Sequence, residues 1–379
     1  MLMRVLHAYK VYLPGVYGGI PSVIAMLARL SRSEFATEVL VARECGFAHS
    51  YTFEGVNVEA VSSIGTVMST PLAPAYPFRF VKRAKAFDIV VHHAPFPLTD
   101  LGVLLMPKKT ALIVHWHAEV VGRLRLMRLL APFIRHSLKR ADTIVVSDQA
   151  IVEKSPFLKD FADKCVVVPY GCDVTYWGEL NSAQQEAVVS LQKQHPRLVV
   201  AVGRLVSYKG YEIFLRAMQE VDACAVIIGD GQLRANLNGL AAELGILDRV
   251  KFLGVLEPDE VKQYIHAAKV LAFPSVTEAE AFGIVQLEAM SAGKPVVNTD
   301  LATAVPNVAR DGKEGLTVPP SQPIEFAHAL RRLLDQPDFA ARLGAAGKER
   351  AYAEFSQSLF LSRMQDVYNE VVRRRRSAR

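Results

Sequence analysis

Several features that mark other protein classes are scarce or missing in this 379-residue chain. It has four cysteines, Cys45, Cys165, Cys172 and Cys224, and none falls in a CxxC pair or a zinc-like spacing. A chain this long needs no disulfide staples, so all four are expected as reduced thiols in a cytoplasmic protein. No apolar run approaches the roughly 18 residues of a membrane-spanning helix. The opening MLMRVLHAYKVYLPG has neither the continuous apolar stretch nor the small-residue cleavage site of a secretory signal. The expectation is a cytoplasmic chain whose membrane contact is at most peripheral, on the inner face. An Asp-x-Asp triplet is missing, and the first strand-to-helix turn lacks the GxGxxG of a dinucleotide site. Charge of one sign is not in large excess: 44 Lys and Arg against 38 Asp and Glu leave +6, which does not demand nucleic acid.

Hydrophobic residues make up 51% of the chain and charged residues 22%, with 23 Gly and 20 Pro. That composition belongs to a packed globular protein and excludes a disordered, collagenous or coiled-coil chain. At roughly 150 residues per domain the length suggests two domains. Short β-branched apolar runs recur at 4–7, 38–41, 56–61, 88–91, 111–115, 143–146 and 166–168, and helical periodicity lies between several of them, at 20–30 and 124–139. The rhythm restarts with strands at 197–202, 223–228, 250–253, 270–273, 295–297 and 315–318, separated by helices at 211–219, 233–244, 258–267 and 282–291. Strand and helix in alternation predict an α/β protein made of two doubly wound, Rossmann-like domains. Residues 173–196 lose the strand rhythm and mark the junction. The expected domains are 1–175, 176–355, and a final helix from 356 that crosses back to the first domain and ends in the basic tail to 379. In such an architecture the ligand is expected between the domains, near the carboxyl ends of both sheets.

Four segments carry candidate chemistry. Gly18 and Gly19 precede the first helix, where backbone N–H groups and the helix dipole favour an anion, although a plain tight turn explains them nearly as well. Arg204 and Lys209, within Gly203–Gly210 after the first strand of the second half, offer a planar fork and a compact ammonium suited to a diphosphate. The alternative there is a solvated loop with a salt bridge. Glu280 and Glu288 stand eight positions apart, so they project toward one side if the first is in the entering loop and the second on the helix. As ionised carboxylates they accept hydrogen bonds from paired hydroxyls of a sugar and a ribose. By spacing alone, solvated helix acids are commoner. His115 and His117 share a strand face, whereas the adjacent His92 and His93 point to opposite faces. Without a carboxylate or thiolate complement these scattered histidines do not predict a metal site. A basic stretch with Arg123, Arg125, Arg128, Arg135, Lys139 and Arg140 is interleaved with leucines and holds no acid. It suits an anionic membrane surface or, equally, a helix with a solvated basic face. Arg373–Arg376 at the end of the last helix favour the negative end of its dipole.

Over nearly its whole length the sequence resembles the retaining glycosyltransferases of family 4, which have the two-domain GT-B fold with a cleft between facing domains. The resemblance rests on Gly18–Gly19, Pro169–Tyr170–Gly171–Cys172–Asp173, Gly203–Arg204 with Lys209–Gly210, and Gly229–Asp230–Gly231. Its most specific part is Glu280–Ala281–Phe282–Gly283 followed by Glu288, Ala289, Gly293 and Pro295. It implies that Arg204 and Lys209 hold the donor diphosphate without a metal, assisted by the Gly19 backbone. It also implies that Glu280, with backbone groups of Ala281, Phe282, Gly283 and Ile284, holds the donor sugar, and that Glu288 takes the ribose. The stretch 250–255, which includes Phe252, lines the base, and His117 lies beside the sugar. Tyr170 and Cys172 depart from the Asn and Val of many relatives; Cys172 is expected to pack as a small apolar group.

The general appearance is similar to bacterial mannosyltransferases of exopolysaccharide or O-antigen assembly. That likeness implies a GDP-mannose donor and a prenyl-diphosphate-linked glycan acceptor. A UDP-sugar donor of glucose or N-acetylglucosamine, a soluble sugar acceptor, an epimerase on the same fold and a noncatalytic binding protein are the alternatives. The joint presence of Arg204, Lys209, Glu280 and Glu288 argues against the last.

Overall fold

The computed structural model describes residues 2–16, 18–30, 34–67, 70–119 and 124–377, with 30 and 124–127 described by backbone alone. Arg123 of the basic stretch and the last two residues of the tail lie outside the described residues, as do the side chains of Arg125 and its neighbours. Internal contacts divide the chain into one unit of Met1–Tyr170 with Phe360–Arg379 and a second unit of Gly171–Leu359.

The first unit holds strands β1 (Met3–Ala8), β2 (Phe35–Ala42), β3 (His49–Phe53), β4 (Val56–Val61), β5 (Thr66–Val67), β6 (Thr70–Pro71), β7 (Ile89–Ala94), β8 (Ala111–Trp116), β9 (Thr143–Val146) and β10 (Cys165–Val167). Eight of them form one sheet in the order β10-β9-β8-β7-β1-β2-β4-β3, while β5 and β6 pair separately. Every pairing in the large sheet is parallel except β3 with β4. The apolar runs end up in its middle because helices cover both faces of a parallel sheet; β7 and β8 are buried at all six positions. Strand β3, HSYTF, has no such run. It is an edge hairpin strand with largely exposed side chains, joined to β4 through Glu54 and Gly55 at positive φ. That is why apolar periodicity overlooks it.

The second unit has β11 (Leu198–Val202), β12 (Cys224–Ile228), β13 (Val250–Gly254), β14 (Val270–Ala272), β15 (Val296–Thr299) and β16 (Gly315–Val318), all parallel, in the order β13-β12-β11-β14-β15-β16. The stretch 173–196, read from sequence as the junction, belongs to this unit and is mostly helical, with helices Val174–Gly178 and Ser182–Gln194. Asn181 and Gln184 close a capping box on the second of these.

The last helix, Gln357–Ser377, changes units at Phe360. In the amino-terminal unit its Tyr368 packs edge-on against Phe35 at 5.4 Å, and Phe360 against Tyr170 at 5.9 Å. Arg375 grips both carboxylate oxygens of Asp142, at 2.8 and 2.9 Å, and donates to the Lys108 carbonyl at 2.7 Å. Arg373 and Arg374 both pair with Glu370. The arginine run therefore does more than meet the helix dipole, because one member ties the chain end to the first sheet.

All four cysteines are free. Cys172 is buried with its Sγ 3.6 Å from Ser291 Oγ, and burial pushes its thiol up to about 12. Among the described residues no helix is long and apolar enough to cross a membrane.

Candidate functional site

In the Gly171–Leu359 unit the candidate side chains gather at the carboxyl ends of β11 and β14. Strand β11 runs into Gly203 and Arg204, then a 3-10 turn, Ser207–Lys209, and the helix Tyr211–Gln219. Gly210 sits between turn and helix at φ 69°, where a Cβ would lie 1.9 Å from the Pro274 carbonyl oxygen. Only glycine fits there, and this close approach brings the turn against the loop after β14. Lys209 Nζ thereby reaches the Glu280 carboxylate at 2.5 Å, with both side chains almost buried. Ser275 Oγ donates to the same carboxylate at 3.1 Å. Lys209 also stands 5.0 Å from the centre of the Phe273 ring.

The helix expected over 282–291 begins later, at Ile284. Gly283 takes φ 79°, and a Cβ on it would come within 2.4 Å of the Phe273 ring. Residues 280–283 are therefore loop, which puts Glu280 in the entering loop and Glu288 on the helix. Burial raises the Glu288 carboxyl to about 7, against the pull of Lys209. Lys209 is thus paired with one acid and within electrostatic reach of the other.

Arg204 is exposed and donates to the Tyr208 hydroxyl at 3.2 Å. In the loop, Phe282 is buried against Phe355, and the Ala281 carbonyl accepts from Ala304 N–H at 3.0 Å. Phe252 lies apart on β13, two strands from β11, half-buried. Arg234 covers its ring at 5.5 Å and donates to its carbonyl at 2.9 Å. Sequence reasoning missed Arg234, which follows Gly229–Asp230–Gly231 by three residues, opens the helix Arg234–Glu243 and adds a third cation at this edge.

In the amino-terminal unit, Gly18 and Gly19 open the helix Gly19–Leu30. Among the described residues a Cβ at Gly19 would meet nothing within 4 Å, and one at Gly18 only the Pro21 ring at 3.9 Å. Neither is among the positive-φ glycines.

His117 follows β8 and is buried. The histidines that looked scattered in sequence are gathered, which corrects that expectation. The β7–β8 register sets His93 beside His115, and strand alternation brings His117 to the same side. Ring nitrogens of His93, His115 and His117 lie within 4.8 Å of one another. His92, on the opposite face, pairs with Asp100 at 3.0 Å. Burial lowers His115 to about 3 and holds His93 and His117 well below the ordinary histidine range, helped by their neighbours.

Residues 18–171 match the family model for a glycosyl transferase 4-like domain, and residues 183–350 the model for glycosyl transferases group 1. D-rhamnosyltransferase WbpZ of Pseudomonas aeruginosa is 32% identical over 349 residues, covering 92% of this chain and 91% of that protein. O-antigen chain mannosyltransferase C of Escherichia coli is 29% identical over 370 residues, 97% of each. Among solved structures, sucrose-phosphate synthase from Thermosynechococcus elongatus aligns with a TM-score of 0.80 at 20% identity, over 97% of this chain and 99% of that one, which is a likeness of fold. Two parallel-sheet units, each matched by its own family model, and a relative aligned over almost its full length establish that the chain belongs to the GT-B glycosyltransferases, enzymes that transfer sugar from a nucleotide donor.

Proposed function

We propose that this chain transfers mannose from GDP-mannose, with retention of anomeric configuration, to a glycan carried on a prenyl diphosphate during bacterial exopolysaccharide or O-antigen assembly. The observation that carries the reading is the Lys209–Glu280 pair at 2.5 Å, with Glu288 in the field of the same ammonium. The pair puts a fixed positive charge next to an acid able to accept sugar hydroxyls. The choice of sugar is supported by the two relatives: D-rhamnose is 6-deoxy-D-mannose, so both names denote a manno-configured ring.

In this reading, breakage of the bond between the anomeric carbon and the phosphate oxygen builds negative charge on the departing diphosphate. Arg204 and Lys209 offset that charge, and the Gly18 and Gly19 backbone N–H groups meet the phosphate nearest the sugar. Glu280 orients the sugar with Ala281, Phe282, Gly283 and Ile284, Glu288 takes the ribose, and Phe252 lines the base. Retention follows a front-side path. The acceptor oxygen bonds to the anomeric carbon on the face the diphosphate leaves, and its proton passes to a leaving phosphate oxygen. His117 is assigned to the transferred sugar. No metal is assigned, since the two cations meet the diphosphate; unchanged turnover in excess EDTA is expected.

Membrane attachment is assigned to the helix Leu124–Arg140. Arg128, Leu129 and Lys139 are exposed on it, with Leu129 at 68%. Other members of the basic set are engaged within the unit: Arg135 with Asp160 at 2.6 Å, and Arg140 with three main-chain carbonyls. The remaining charge suits the cytoplasmic leaflet. The test is a panel of GDP- and UDP-sugars incubated with extracted prenyl-diphosphate glycans and read by mass. A hexose added only from GDP-mannose is the expected result. Transfer from a UDP-sugar alone would overturn the donor, and donor isomerisation without acceptor would overturn the reaction.

A further inference from the structure

Three buried histidines and a tyrosine of the amino-terminal unit form an unbroken chain. His7 Nδ1 meets His93 Nε2 at 2.8 Å, His93 Nδ1 meets His117 Nε2 at 2.7 Å, and His117 Nδ1 meets the Tyr170 hydroxyl at 2.5 Å. Ring centres along it are 5.1 and 5.0 Å apart, with planes inclined by 27° and 16°. Each separation exceeds the nitrogen–nitrogen distance by about one ring diameter, so the rings lie side by side and the facing nitrogens point at each other. His115 is placed differently. It stacks face-on against His117 at 4.1 Å, and neither of its ring nitrogens has a hydrogen-bond partner among the described residues.

A metal ion does not suit this geometry. Two nitrogens that each ligate zinc at about 2.0–2.1 Å stand more than about 3 Å apart, with their lone pairs converging on the ion. Here the closest pair is 2.7 Å apart and aligned, with room for one proton between them, and the third ring offers its face.

The proton count then constrains the whole chain. A neutral imidazole carries one N–H and one bare nitrogen. Every histidine link joins an Nδ1 to an Nε2, so one proton per link forces the same tautomer on all three rings. Two such states exist. With the protons on Nε2, Tyr170 donates to His117 and His7 would bury an N–H without an acceptor among the described residues; with the protons on Nδ1, a bare lone pair stays unmatched at His7 Nε2, and the Tyr170 hydroxyl accepts from His117 and turns its own proton elsewhere. Orphaned buried donors are the rarer feature of folded proteins, which selects the second state. In it His7 donates to His93, His93 to His117, and His117 to Tyr170.

We propose that His7 and His93 are positioning residues acting through His117: the chain holds its ring in the Nδ1–H tautomer, engages both of its ring nitrogens within the unit, and so fixes the ring in its place beside the transferred sugar. The last clause rests on the assignment of His117 to the sugar; the tautomer does not.

The test uses the full chain labelled with ¹⁵N-histidine and long-range ¹H–¹⁵N correlation near neutral pH, without substrate. The expected spectrum shows His7, His93 and His117 neutral and all protonated on Nδ1. His7→Phe removes the first donor. It should shift the His117 ring signals and lower kcat about tenfold, a fraction of the 100-fold that a misplacement of about 1 Å produces, with the donor KM within about twofold. His7→Asn, whose amide N–H replaces the Nδ1 donor, should restore both. Mixed tautomers, a doubly protonated ring, or His117 signals that ignore His7→Phe would overturn the proposal. So would zinc binding at one equivalent that moves His93, His115 and His117 together. If His7→Phe does not fold, the wild-type spectrum and His7→Asn still decide. Absence of transfer from every nucleotide sugar would strike the functional reading instead, leaving the tautomer to the spectra.

Discussion

At the carboxyl ends of their strands the two sheets present opposite kinds of polar chemistry. In the Gly171–Leu359 unit an ion pair stands there, Lys209 on Glu280, with Glu288 in the field of the same lysine and Arg204 exposed against the Tyr208 hydroxyl. In the amino-terminal unit the ends of β1, β7 and β8 carry His7, His93, His115 and, one residue beyond, His117, all buried and all pushed toward neutrality. The strand edge is the same kind of place in both. What differs is the partner. A buried charge persists beside an opposite charge, whereas an imidazole without one gives up its proton to escape the desolvation cost. The proposed function assigns the diphosphate to the first arrangement and the sugar to the second.

The largest expected effect removes the charged half of this contrast. Lys209→Ala should lower kcat by about 10²–10³-fold, the scale for loss of one preorganised donor at a developing anion. It also leaves Glu280 buried without its cation. Arg204→Ala, at an exposed group, should act in the same direction. Steady-state kinetics with saturating donor reads both, and near-normal turnover would remove these residues from the chemistry.

The neutral half can be broken with acid. Unfolded histidines take up protons near pH 6.5, but His7 and His115 in the folded unit resist until about 3. Stability is therefore complete above pH 6.5 and drains as the pH falls from there toward 3, by about 1.4 kcal/mol per pH unit for each such ring. Urea unfolding followed between pH 7 and 5 should show this slope, and His115→Leu should reduce it by one ring's share. An unchanged slope would mean that His115 is not held neutral.

Glu288 tests the boundary between the two behaviours, since burial lifts it to about 7 although a lysine is near. In the proposed role its ionised form, with two acceptor oxygens and no proton of its own, takes both ribose hydroxyls better than the protonated form does. Donor affinity should therefore rise several-fold from pH 6 to 8, and Glu288→Gln should flatten that rise in calorimetric titrations. The smallest effect belongs to the docked chain end. Arg375→Ala removes a partly exposed bidentate pair with Asp142 and should cost about 1 kcal/mol, read as a modest fall in Tm with kcat unchanged.

How far the site could be read in advance differs between the units for a physical reason. Lys209 and Glu280 were recognisable because glycines mark the turns that present them, and Gly210 and Gly283 occupy conformations that other residues adopt only with strain. Arg234 was overlooked although Gly229 and Gly231 mark the turn before it, because its partner Phe252 lies 18 positions on and meets it only in the fold. His115 and His117 could be placed on one face by alternation alone. Their meeting with His93 and His7 could not, since it depends on which residue of one strand lies beside which residue of the next. The helix start at Ile284 in place of Phe282 likewise hung on one positive φ.

By itself the amino-acid sequence determined the alternation of buried strands and helices, the pair of parallel sheets and the glycine-marked loops at their ends, because apolar periodicity and backbone permission are local properties. Tertiary structure alone decided that Lys209 closes on Glu280, that Arg375 reaches across 233 positions to Asp142, and that His7, His93, His117 and Tyr170 form one hydrogen-bonded line. Those contacts join segments far apart in the chain. Their distances follow from strand order and register, and their protonation from the burial that only the packed fold creates.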